Sequence, residues 1–174
     1  MTQLVFRRLT DDGLVGDGTN AAANVNGSVT PVPFYAGPAT GKVWELERMV
    51  VEVRDSLPFN VENYGNVATL SNGITLQVKR GGVGGTEVLD LVDGSPIKSG
   101  VGWASHCYDY EYKDHGTGDN FFVVRWTFSK AGIPLKLDGF HNDVLVATIN
   151  DDLTALVDHE FNIQGIQYNQ GDQG

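Results

Sequence analysis

Residues 121–128, FFVVRWTF, constrain the fold of this chain more than any other stretch. Because successive side chains of a β-strand point to opposite faces, one face would carry only large apolar groups: Phe122, Val124, Trp126 and Phe128. Such a face must pack against a core, since four large apolar groups left exposed would make the sheet adhesive. The linker KAGIP then interrupts the strand, and LKLD resumes the alternation. The pattern predicts a strand, a turn and a second strand.

Residues 42–55, KVWELERMVVEVRD, form the longest strand candidate. Their apolar residues fall into two sets of opposite parity, Trp44 with Leu46 and then Met49 with Val51 and Val53. A β-bulge near Glu47 and Arg48 would turn both sets to the same face. A helix is the alternative, because Glu, Leu, Arg and Met are good helix formers. The β-branched valines and the flanking turn signals favour the strand.

Further strand signals follow along the chain. Alternation at Ile74, Leu76 and Val78 leads through the glycine-rich residues 81–85 to a returning strand, and residues 144–149 form a continuous apolar run. Trp103, Cys107 and residues 108–112 suggest an aromatic, half-buried strand, whereas residues 153–159 suggest one helical turn. About eight strands with frequent turns predict an all-β fold, a β-sandwich of jelly-roll type.

The first 41 residues differ in composition from the rest. Residues 2–9, TQLVFRRL, read as a short strand or as a docking peptide, and residues 10–41 show neither strand nor helix periodicity. We therefore expect a strand and an extended irregular arm over residues 1–41, a jelly-roll domain over 42–168 and a polar tail over 169–174. Removing residues 1–38 should then leave a folded domain.

Charge and composition limit the classes of partner. Lys and Arg number 12 against 22 Asp and Glu, a net charge of −10 that disfavours nucleic acid and anionic membranes. The single cysteine, Cys107, cannot form an intrachain disulfide. With no apolar run of about 18 residues and no signal-peptide core, we expect a cytoplasmic product that needs no secretion, with no membrane partner.

Motifs for catalysis or cofactor binding are weak. Cys107 and His106 are adjacent and would point to opposite faces of a strand, and His106, His115, His141 and His159 match no metal-ligand spacing. We therefore predict no enzyme and no cofactor. Acidic pairs in predicted loops leave calcium binding open beside ordinary turn formation. These pairs are Asp11–Asp12 with Asp17, Asp114 with Asp119, Asp138 with Asp143, and Asp151–Asp152.

Several sequence segments together point to a family: GKVWELERMVVEVRD, ENYGNVATLSNGITLQV, DLVDGSPIKSGVGW, VVRWTFSKAGIPLKLDG and NDDLTALVDHEFNIQG. From residue 34 to residue 167 the chain resembles jelly-roll virion proteins of tailed bacteriophages, the capsid decoration (cement) or head-associated proteins. The resemblance implies a structural protein of the capsid surface, commonly a homotrimer seated where major capsid proteins meet. We predict partner contacts in the N-terminal region, at Arg7, Arg8, Asn20, Pro31, Pro33, Phe34 and Tyr35.

Two other functions stay open. A receptor- or carbohydrate-binding module of a phage head or tail fibre would stack host glycans on exposed aromatic rings, with Tyr64, Trp103 and Tyr108 on its rim. Tyr110 and Tyr112 belong to the same aromatic set, for which core packing is the alternative. A small glycan-cleaving enzyme would need a pair of carboxylates, and among 22 acidic residues no pair stands out.

Overall fold

The computed structural model describes residues 1–13, 19–60, 63–107, 109–131 and 134–171, except residues 115–119. Within these ranges the chain forms twelve β-strands and one α-helix, α1 (Gly100–Cys107). The strands are β1 (Gln3–Arg8), β2 (Val32–Ala36), β3 (Lys42–Asp55), β4 (Asn63–Tyr64), β5 (Val67–Ala68), β6 (Ile74–Arg80), β7 (Thr86–Asp90), β8 (Tyr110–Asp114), β9 (Asn120–Thr127), β10 (Leu135–Asp138), β11 (Val144–Ile149) and β12 (Asp158–Asn169).

The sheets have the connectivity of a jelly roll. A larger antiparallel sheet has the order β1-β12-β3-β9-β8, and β10 pairs with β3 beyond the end of β9. A second sheet has the order β2-β11-β6-β7, and β4 and β5 form a separate hairpin. With β9 and β10 taken as one interrupted strand, the chain alternates between the sheets as two interlocked Greek keys do. The predicted all-β jelly-roll sandwich is confirmed.

The predicted bulge in β3 is present and aligns its two apolar sets. Gln164 pairs with Arg48 whereas its neighbour Gly165 pairs with Leu46, so Glu47 is the extra residue. As a result the side chains on both sides of the bulge are buried in the same core: Trp44, Leu46, Met49, Val51 and Val53. One local irregularity therefore lets a 14-residue strand cover the whole core.

The pattern at residues 121–128 is also confirmed. Phe122 and Val124 on β9 are buried, and Trp126 is half-buried against the same core. A 3₁₀ turn over residues 128–131 breaks the strand and buries Phe128. β10 then continues alongside β3, where Leu137 pairs with Trp44.

The N-terminal region is part of the sandwich, which corrects the expected separation at residue 41. β1 pairs with β12 over all six of its residues, and β2 pairs with β11 in the second sheet. Leu9, Ala23 and Phe34 are fully buried in the common core. The irregular geometry expected for the arm is confined to the described residues between β1 and β2. At the other terminus β12 extends to Asn169, and residues 172–174 lie outside the described residues.

Two local predictions were wrong. Trp103 and Cys107 lie on α1, and not on a strand; Ser99 caps this helix, since its Oγ accepts a hydrogen bond from the backbone N–H of Gly102 at 3.3 Å. Residues 153–157 form turns, and the helical turn expected there is absent from these described positions. In the described part of the chain, no helix has the length and apolar character needed to cross a bilayer.

Candidate interaction surface

The predicted contact residues lie along one edge of the sandwich, where β1 and β2 meet, and they differ in accessibility. Arg7 is exposed, and one of its terminal nitrogens donates to the backbone carbonyl of Phe6 at 3.0 Å. Arg8 points across β12, with its Nε 3.5 Å from a carboxylate oxygen of Glu160. Both arginines are therefore placed to reach a partner.

The other predicted contact residues lie in or before β2. Asn20 donates its side-chain amide to Asp12 at 2.7 Å, Pro31 is exposed and Pro33 pairs with Thr148. Tyr35 is half-buried and exchanges backbone hydrogen bonds with Thr10, which join the two sheets at this edge. Phe34 is 1% exposed and packs in the core, so its prediction as a contact residue was wrong.

Sequence reasoning missed a concentration of arginines on the larger sheet. We call the side of this sheet that points away from the core, from the bulge at Glu47 to the Arg54 end of β3, the outer face. Four of the six arginines in the chain lie there: Arg8, Arg48, Arg54 and Arg125. The signal was available, because the alternation that buries Met49, Val51 and Val53 turns Arg48 and Arg54 to the opposite side.

Pairing between the strands arranges the outer face in rows. An acidic row of Glu111, Glu52 and Glu160 lies between a row with Arg125 and Arg8 and a row with Lys113 and Arg54. Arg125 contacts Glu111 at 2.9 Å and Lys113 contacts the same carboxylate at 3.0 Å. With Arg48, Asp109 and Asp158 added, five basic side chains balance five acidic ones on this face.

The pKa values of two carboxyl groups on the outer face shift in opposite directions. Hydrogen bonds, first from Arg125 and then from Lys113, lower the pKa of Glu111. Partial burial raises the pKa of Glu160 against the opposing charge of Arg8, and the nearby Asp158 and Glu52 raise it further. Among the described residues, the Nε atoms of Arg48 and Arg54 are buried without a hydrogen-bond partner. The outer face is thus balanced in charge but incompletely paired.

At the edge of the sandwich opposite β1, apolar groups reach the surface. A cleft of about 530 Å³ lies between β7 of the second sheet and the β9–β10 strand of the larger sheet. We call it the edge cleft; its lining includes Leu89, Asp90, Leu91, Trp126, Phe128 and Leu135. Leu91, Trp126 and Leu135 are partly buried and pack against the core. The cleft is a place where the core of the sandwich is open to solvent.

The aromatic rim expected for glycan binding is only partly exposed. Tyr64 and Trp103 are fully buried, so neither can stack on a sugar, and Tyr108 lies outside the described residues. Tyr110 and Tyr112 on β8 are 53% and 42% exposed and have the same parity. A stacking surface would have to use these two rings.

Where the structure describes the acidic pairs in loops, five of their residues serve as hydrogen-bond acceptors: Asp12, Asp138, Asp143, Asp151 and Asp152. The carboxylate of Asp151 accepts from the backbone N–H groups of Ser71, Asn72 and Gly73. Asp143 forms a two-point contact with Arg80, at 2.9 and 3.2 Å. Asp17 and Asp119 lie outside the described residues. Over the described positions, no group of three or more His, Cys, Asp or Glu side chains is arranged to hold a metal ion.

Cys107 and His106 have separate environments. Cys107 is buried, and burial raises the pKa of its thiol to about 12. His106 contacts the carbonyl oxygen of Gly102 through Nδ1 at 2.9 Å and packs beside Trp126. A thiol held in its neutral form is a poor nucleophile.

Comparison of the chain with family models, with curated proteins and with solved structures finds no match.

Proposed function

We propose that this chain is a structural protein of a tailed-bacteriophage virion, a capsid decoration (cement) protein that binds the outside of the shell. Its partner is the major capsid protein, and its assembled form is a homotrimer. Two observations support the proposal: sequence segments similar to those of such proteins, and a jelly-roll sandwich of the kind that this resemblance implies.

The single observation that carries the proposal is the arginine concentration on the outer face. The chain has a net charge of −10, so most of its surface repels an acidic partner. The outer face is balanced, and Arg48 and Arg54 have nitrogens that lack hydrogen-bond partners within the described residues. Those Nε atoms are buried, so a partner that supplies carboxylates would meet the half-buried guanidinium groups of these arginines, and it can approach this face without net repulsion.

The copy number per virion tests the assignment. In purified particles, quantitative mass spectrometry should find this polypeptide in a simple ratio to the major capsid protein, at hundreds of copies. A handful to a few dozen copies would place it in the tail or fibres, and absence from the particle would overturn the virion assignment.

A charge-matched pair of variants tests the surface. Replacing Arg48→Ser together with Arg54→Ser should weaken binding to particles that lack the protein by about tenfold, a loss of roughly 1.4 kcal/mol. The control is Lys79→Ser with Lys98→Ser, which removes the same charge from β6 and from the loop before α1. Equal binding by the two double variants would contradict contact through the outer face.

A second function is favoured by one observation, the exposed tyrosine pair of β8. Tyr110 and Tyr112 offer rings on which a host glycan can stack, as a receptor- or carbohydrate-binding module requires. If this function holds, replacing both by alanine will abolish glycan-array signals and reduce phage adsorption. If neither changes, the tyrosines have no such role.

A further inference from the structure

Among the residues that the structure describes, β1 ends the larger sheet on one side and no strand pairs with its outer edge. The backbone N–H of Leu9 donates to the carbonyl of Phe161 at 2.9 Å, so the odd-numbered residues of β1 direct their backbone groups toward β12. By alternation, the backbone groups of Leu4, Phe6 and Arg8 point away from β12. The side chains of Leu4 and Phe6 are 88% and 61% exposed. An open strand edge with exposed apolar side chains is a template for pairing with another chain.

The edge cleft lies at the opposite side of the same sandwich and is complementary to β1. It is lined largely by apolar side chains, and Leu89 at its rim is 43% exposed. In the described part of the chain β7, which forms one wall, pairs with β6 alone. A strand laid along this wall would therefore gain both backbone hydrogen bonds and apolar contacts.

The charges of the two features are also complementary. Residues 1–10 contain Arg7 and Arg8 and no acidic residue, so all 22 acidic residues lie in the rest of the chain. On β7, Asp90 lines the cleft, whereas Glu87 accepts a hydrogen bond from Gln77 of β6 and lies outside it. The cation on the other wall, Lys136, lies over the ring of Tyr168. The basic strand fits the acidic wall.

We infer that β1 of one copy docks in the edge cleft of a second copy, with Leu4 and Phe6 in the cleft and Arg7 and Arg8 toward β7. The donor and the acceptor lie on opposite edges, so the contact is head-to-tail, and such contacts close into rings when the rotation between copies allows it. By alternation Leu4, Phe6 and Arg8 lie at the β1 margin of the outer face. The contact covers this margin and leaves Arg48, Arg54 and Arg125 free for the shell. The inference rests on the proposed function for the existence of a homo-oligomer and names the contact that builds it.

Light scattering coupled to size-exclusion chromatography tests the contact on the full chain. The wild-type chain should form a concentration-dependent oligomer of its 18.8-kDa protomer. Replacing Leu4→Ser with Phe6→Ser should raise its dissociation constant at least tenfold, as should Leu89→Glu in the cleft. Leu57→Ser is the control, because Leu57 is also exposed (46%) but follows β3 at its far end. A wild-type chain that stays monomeric, or variants that all assemble like the control, would overturn the inference.

Cysteine pairing identifies which surfaces meet. A Phe6→Cys chain mixed with a Leu89→Cys chain should form an intermolecular disulfide between positions 6 and 89 under mild oxidation. The native Cys107 is buried and should not interfere. A disulfide between two Phe6→Cys chains in preference to the mixed product would show a two-fold contact between β1 strands, and would overturn the head-to-tail contact.

A particle-binding assay distinguishes failure of this contact from failure of the proposed function. A monomeric chain that still binds particles in a simple ratio to the shell protein would refute the contact and leave the virion assignment in place. A chain that assembles through β1 and the cleft but is absent from virions would do the reverse.

Discussion

The phenolic oxygen of Tyr64 lies 2.7 Å from Nε2 of His159, although the two residues are 95 positions apart in the sequence. Nε1 of Trp103 donates to the same phenolic oxygen at 3.0 Å. The tyrosine hydrogen is then best used toward Nε2, which leaves the imidazole hydrogen on Nδ1. That atom is buried and without a hydrogen-bond partner among the described residues. The cluster joins β4, α1 and β12 inside the core.

Acid should destabilise the protein through His159. Burial lowers the pKa of its imidazole from 6.5 to about 3. The unfolded chain therefore binds a proton near pH 6.5 that the folded chain does not bind until about pH 3. The free energy of unfolding falls as the pH is lowered through this window. From pH 7 to pH 4.5 this group should remove roughly 2–3 kcal/mol.

Urea unfolding of the wild type and of His159→Gln at both pH values checks this expectation. Glutamine keeps an acceptor for Tyr64 but does not titrate, so the variant should lose less stability in acid than the wild type. The comparison removes the contribution of carboxylates that both proteins share. An identical pH dependence in the two proteins would show that His159 is not the group responsible.

Gly165→Ala should destabilise the sandwich by about 2 kcal/mol or more. Gly165 lies beside the bulge of β3, and a β-carbon there would come within 2.1 Å of the backbone carbonyl oxygen of Glu45. Gly84→Ala is the matched control, because a β-carbon at that position meets nothing within 4 Å. Thermal unfolding of the three proteins measures the difference. Equal stability of both variants would mean that β12 shifts freely at the bulge.

Cys107 should be unreactive in the folded protein. Its side chain is 4% exposed, and burial raises its pKa to about 12, so little thiolate forms at pH 8. A thiol-specific chromogenic reagent should label it at once in concentrated urea and only slowly in native buffer. Cys107→Ala with Val101→Cys provides the exposed control on the same helix, since Val101 is 46% exposed. Rapid native labelling of the wild type would contradict the buried position.

Deleting residues 1–38 should abolish cooperative folding. The deletion removes β1, β2 and buried side chains that include Leu9 and Phe34. The loss of one large buried side chain alone typically costs 3–5 kcal/mol, about the size of many domain stabilities. Deletion of residues 1–2, which precede β1, is the control. A sharp thermal transition with retained β-sheet circular dichroism in the long deletion would show that residues 1–38 form an arm that the domain does not need in order to fold.

Local periodicity carried most of the information on the sheets. The parity change within residues 42–55 predicted the bulge at Glu47, because burial of both apolar sets on one face requires an extra residue between them. The same reasoning placed Phe122 and Val124 in the core. The same alternation also implied the outward position of Arg48 and Arg54, because they occupy the alternate positions of the same strand.

The helix α1 shows where local pattern fails. Its sequence, GVGWASHC, has two glycines and no amphipathic stripe long enough to indicate a helix, and Ser99 was the one capping signal. Trp103 is buried because the helix carries it to Tyr64. This contact joins residues 39 positions apart, and no window on the chain contains both.

The sequence by itself determined most of the long strands, the bulge in β3, the break after β9 and which strand faces are apolar, because these depend on side-chain alternation between near neighbours. Only the tertiary structure decided that residues 3–8 pair with residues 162–167, and that the N-terminal region is part of the core. The pairing of these strands in the tertiary structure also brought arginines from β1, β3 and β9 onto one face. These outcomes depend on pairing between distant segments, whose free energy comes from burial shared by the whole sandwich.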